Sequence, residues 1–226
     1  MRIGIVALLA LLTVSCRSEQ TETVGRDADA STTASDATDA DGSRLGTVMV
    51  AGNCVGDAEI QLERGLALLH NMTYEESARA FRAATDEDPD CGMGYWGEAM
   101  TIVHPLWSDP PSEEDYQRGV RLVATAREKA STEHEMAYVD ALAGYFEAGR
   151  TGSEGPNLAA MEEGWREFHE AYPEDPEGGA FYALAQLSTV DPSDKTYSKQ
   201  RQAGALAEQV LASVPDHPGA HHYIIH

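Results

Sequence analysis

QLERGLALLHNMTYEESARAFRAATDEDPDCGMGY, residues 61–95, is the stretch whose reading decides the fold. It reads as two helices closed by a tight turn, followed by the start of a third. Gly65 and Ser77 are small and let the two helices approach closely. Leu68, Phe81 and Ala84 fill the seam between them, and Pro89 stops the second helix.

The offsets of Gly65, Leu68, Ser77, Phe81, Ala84 and Pro89 resemble those of the tetratricopeptide-repeat family, in which a helical hairpin of about 34 residues recurs. Two further copies follow in register. Phe81, Pro89 and Tyr95 are matched by Phe168, Pro176 and Tyr182, and again by Val210, Pro218 and Ile224. The local texts DPDCGMGY, DPEGGAFY and DHPGAHHY repeat with them. Working outward, the pattern predicts helices over 57–70, 74–87, 92–104, 112–130, 132–148, 157–172, 178–190 and 194–214, with a last one from about 219. Ser112 followed by three acids predicts a helix start. Beta-type alternation is not read anywhere, so the expected class is all-α. The resemblance implies a right-handed superhelix of about four antiparallel hairpins over residues 47–226, C-terminally incomplete because HPGAHHYIIH opens a helix without a polar cap.

Upstream the composition changes twice. Met1–Cys16 carries Arg2, an apolar run too short to span a bilayer, and Thr-Val-Ser before Cys16, which reads as a secretory signal. Its end resembles the bacterial lipobox, which implies lipidation at Cys16; Arg17 after the cysteine then implies the outer membrane, facing the periplasm. Residues 17–46 are rich in Asp, Ala, Thr and Ser and contain no aromatic residue, which predicts a disordered acidic linker. Its flexible span would be on the order of 30 Å.

The formal charge is −22 over 226 residues, and seven acids against three bases in 17–46, with Arg2, leave −19 on residues 47–226. Such a domain repels nucleic acid and anionic headgroups, so the expected partners are basic or neutral proteins or peptides, with membrane contact through the lipid anchor only. With Cys16 lipidated, Cys54 and Cys91 remain as a pair in an oxidising compartment. They flank the entrance and exit of the first hairpin, where a disulfide between them closes the gap.

Catalytic arrangements are not visible: there is no GxSxG elbow, no phosphate-cradling glycine loop and no HExxH. The leading functional expectation, drawn from the resemblance, is a cell-envelope scaffold that binds a peptide or protein segment in its concave groove. Tyr95, Trp96 and Trp107 are the aromatic candidates for lining it. The alternative is a zinc- or copper-binding or metalloenzyme domain. His222 and His226 are four apart on a helix and share one face, with His217 and His221 nearby and His104 at the end of an earlier helix.

Overall fold

The computed structural model describes residues 33–50, 52–107, 109–150 and 152–226. The signal segment 1–16, with Cys16, and the linker as far as residue 32 lie outside the described residues.

The described chain begins with a hairpin, β1 (Thr33–Thr38) and β2 (Arg44–Val50), paired antiparallel with Ala37 opposite Gly46. This corrects the all-α expectation, and it corrects the linker expectation over residues 33–46. The ribbon forms because Asp41-Gly42 supplies its turn: Gly42 takes a left-handed φ of 82°, its N–H donates to the Asp39 carbonyl, and Asp39 N–H donates to Ser43. It is held on the helices by packing and by specific bonds. Ala37 and Val48 are buried, Arg64 donates twice to the Asp39 carboxylate, and Thr47 N–H donates to the Asp216 carbonyl at 3.0 Å. Gly46, at φ 111°, is where the ribbon crosses that carbonyl; a Cβ there would lie 2.8 Å from it.

Nine helices follow among the described residues: α1 (Asp57–His70), α2 (Tyr74–Glu87), α3 (Gly92–Met100), α4 (Glu113–Lys129), α5 (Glu133–Glu147), α6 (Gly155–Ala171), α7 (Pro176–Ser188), α8 (Ser198–Ser213) and α9 (Pro218–Ile225). The pairs α1–α2, α3–α4, α5–α6 and α7–α8 pack together, and each pair meets the next. The seam of the first pair has the predicted form. Ser77 Oγ donates to the Gly65 carbonyl at 2.7 Å, and the Phe81 ring fills the space beside Gly65, where a Cβ would lie 2.8 Å from it. Phe168 of α6 fills the space beside Gly178 at the start of α7, and Val210 of α8 packs on Gly179.

Local chemistry sets the helix ends. Ser112 caps α4 by accepting from Asp115 N–H, and Thr132 and Glu135 form a reciprocal capping box at α5. Two expected boundaries move by four residues. α3 stops at Met100, because Ile102 and Val103 tighten the last turn with bonds three residues back, ahead of Pro105; His104 therefore lies in the following turn, not on the helix. α8 starts at Ser198 rather than 194. Asp191 and Asp194 bind backbone N–H groups two residues on, and Tyr197 sits at a left-handed φ of 53°.

The first helix also meets the last. α1 and α9 touch, and β2 packs on α1, α7 and α9. Inside, Trp96, Tyr138, Trp165 and Phe181 form one aromatic cluster, with Trp165 stacked on Phe181 at 4.9 Å and Trp96 edge-on to it at 5.7 Å. Among the described residues no helix is long and apolar enough to cross a membrane.

Candidate metal centre

His70 ends α1 on the same face as Leu62, Leu66 and Leu69, so the helix carries its ring into the core. There it stacks on Phe181 of α7 at 4.6 Å. Its Nε2 lies 2.6 Å from Oε2 of Glu177, which belongs to the first turn of α7 but is turned inward. Oε1 of the same carboxylate accepts the Met49 N–H at 2.7 Å and lies 3.2 Å from His217 Nε2, a close contact that is off line for a hydrogen bond. His70, Glu177 and His217 are at most 1% exposed, and their ligand atoms lie within 4.8 Å of one another. Among the described residues they are the one group of three that gathers closely enough to suit an ion.

Their protons argue for a different role. A neutral imidazole has one lone pair. His217 caps α9, its Nδ1 accepting the Ala220 N–H at 3.1 Å, so its proton is on Nε2 and faces the carboxylate. His70 donates from Nε2 to Glu177, and its Nδ1 accepts from the Tyr223 hydroxyl at 2.9 Å. Both lone pairs are therefore spent away from Glu177, and a cation between the three would cost the α9 cap. Burial alone would raise the Glu177 carboxyl; His217 and His70 more than offset it and hold it well below the usual range. Burial also pushes the His70 imidazolium down, past the opposing pull of Glu177. The group is an ionised carboxylate held by N–H donors from α1 and β2, with the His217 ring at the start of α9 in close contact.

His222 has the opposite polarity. Its Nδ1 lies 3.0 Å from the His70 backbone carbonyl, which can only accept, so Nδ1 carries a proton and, in the neutral ring, Nε2 keeps the lone pair. A backbone carbonyl fixing one ring nitrogen so that the other is free is the usual support of a metal-bound histidine. One turn on, the His226 ring lies 5.3 Å from that of His222, centre to centre. Two imidazoles on one tetrahedral zinc ion would have ring centres roughly 5 Å apart. Desolvation by burial, then the neighbouring His222, lower the His226 pKa and so favour its neutral ring.

The other expected residues have other partners. His104 stacks on Tyr74 at 4.2 Å and directs Nδ1 to Asp109, while His221 directs Nε2 to the Pro215 carbonyl. Trp96 is 2% exposed in the aromatic cluster, the Tyr95 hydroxyl donates to the Pro89 carbonyl, and Trp107, 49% exposed, meets Tyr74 edge-on. Cys54 and Cys91 form the expected disulfide, with Cα atoms 4.6 Å apart. Nothing in the sequence reading singled out His70 or Glu177; the one local signal is a histidine closing the apolar run LALLH.

No protein-family model matches this chain, and no match to it is found among curated proteins or solved structures.

Proposed function

We propose that the chain binds a transition metal ion, zinc or copper, through Nε2 of His222 and the ring of His226. The observation that carries this is the 3.0 Å contact from His222 Nδ1 to the His70 carbonyl, which leaves Nε2 to ligate on a ring already beside a second imidazole. Two protein ligands leave positions for water or an incoming donor, as an open site requires. Calorimetric titration of zinc and copper into untagged, metal-free protein tests it. One ion binds at about micromolar affinity, and His226→Ala weakens it at least about tenfold. Glu177→Gln separates the two histidine groups, since it leaves binding at His222 intact but would abolish binding centred on the buried carboxylate. A flat titration refutes the proposal.

The finer architecture and the location belong to the same reading. The hairpins are tetratricopeptide-like and wind as a right-handed superhelix, a view supported by the three copies of Phe/Val-to-Pro spacing and by the pairwise packing of the helices. The protein is lipid-anchored at Cys16 in a bacterial envelope. The Cys54–Cys91 bridge supports an oxidising compartment. Detergent-phase partitioning that is lost in Cys16→Ser tests the anchor, and equal partitioning of the two removes it. A scaffold role for basic partners is supported by the charge of residues 47–226. Of the three aromatic candidates for its groove, Trp96 is buried, which leaves Tyr95 and the exposed Trp107.

A further inference from the structure

A cleft of about 540 Å³ opens between α2, the turn that follows α3 and the start of α4. It gathers three arginines, Arg79, Arg82 and Arg118, in a chain of net charge −22. Their neutralisation is unequal. Arg79 has Glu76 at 2.7 Å and Glu75 at 3.9 Å, and Arg118 has both Asp115 and Glu98. Among the described residues Arg82 pairs with Glu98 alone, and shares it: Nη1 of Arg82 and Nη1 of Arg118 both donate to Oε1 of that buried carboxylate, at 2.9 and 3.1 Å. One carboxylate thus fixes two guanidinium groups side by side while leaving them 44% and 37% exposed at the cleft. Arg82 has one such bond and further N–H donors to offer, in the planar fork that suits a carboxylate.

We propose that this cleft binds a small organic carboxylate, its anionic group seated on Arg82 and Arg118 and its apolar body against Tyr74, Ile102 and the Pro110-Pro111 wall. A single negative charge fits better than a phosphate dianion, because Asp109, Asp115 and Glu75 also line the cleft and repel a second charge. The site is independent of the histidine pair, so its test uses metal-free protein.

Benzoate is the probe, followed by calorimetry or by shifts of the Tyr74 ring resonances. Benzoate binds saturably, benzyl alcohol does not, and inorganic phosphate binds more weakly than benzoate. Arg82→Gln weakens benzoate binding about tenfold or more while Arg82→Lys retains part of it. Arg127→Gln, on another surface, leaves it unchanged, and circular dichroism checks that each variant is folded. Absence of benzoate binding, equal binding by Arg82→Gln, or phosphate binding as tight as benzoate overturns the proposal.

Discussion

The backbone carbonyl of His70 lies 3.0 Å from Nδ1 of His222, and this contact joins two histidine groups of opposite character. On one side the His70 ring is locked to Glu177 inside the core. On the other, the His222 ring is held through Nδ1, which leaves Nε2 outside that contact. The buried group lies at the end of α1, whose last backbone carbonyl decides which nitrogen of a neutral His222 ring carries the proton.

The clamp makes Glu177 costly to remove. Glu177→Ala leaves the Met49 N–H and the His70 Nε2–H buried without an acceptor, and is expected to destabilise the fold by about 3–5 kcal/mol. Glu177→Gln keeps a carbonyl for Met49 and is expected to cost less, about 1–3 kcal/mol. Urea unfolding measures both; a loss below about 1 kcal/mol for the alanine variant would show that the clamp contributes little.

Stability should also fall with acid in a defined window. The unfolded His70 ring protonates near pH 6.5, whereas burial keeps the folded ring neutral to lower pH. Below about pH 6.5 the unfolded state therefore binds more protons, and the folded state loses stability as pH drops. Glu177, whose folded pKa is also depressed, adds a second loss only below about pH 4.3. Thermal melts between pH 8 and pH 5 should show a falling Tm that is flatter in His70→Gln. A Tm that rises toward pH 5 contradicts this sign.

Reduction of Cys54–Cys91 opens a loop spanning 37 residues and is expected to cost about 3–4 kcal/mol through the entropy of the unfolded chain. Denaturation with and without reductant gives the difference. Unchanged midpoints would place the stability of the first hairpin elsewhere.

Two glycines on helices should respond in opposite directions. A Cβ at Gly97 would enter the Phe81 ring, so Gly97→Ala is expected to destabilise by about 1–3 kcal/mol or more. Gly204, inside α8, has nothing within 4 Å of such a Cβ, and Gly204→Ala is expected to stabilise by about 0.5–1 kcal/mol. Equal effects of the two substitutions would mean that the Phe81 slot yields.

How much was legible in the sequence follows from how local each signal was. α1 and α2 fall on the expected 57–70 and 74–87 because Gly65, Ser77 and Phe81 act within one hairpin. The β1–β2 ribbon escaped because its buried side is little more than Ala37 and Val48, too slight to show alternation; only Asp41-Gly42 marks it. His222 and His226 were visible from helical spacing alone. Their support was not, since His70 is 152 positions from His222 and 107 from Glu177, and no spacing rule links them. Helical spacing already favours the core over a groove for Trp96, and its neighbours from α5, α6 and α7 place it there.

Zinc K-edge absorption on the loaded protein tests the metal claim most directly. Two imidazoles per zinc are expected, with Zn–N near 2.0–2.1 Å, falling to one in His226→Ala while Glu177→Gln keeps both. An imidazole shell unchanged in His222→Ala/His226→Ala, or lost in Glu177→Gln, would contradict the account.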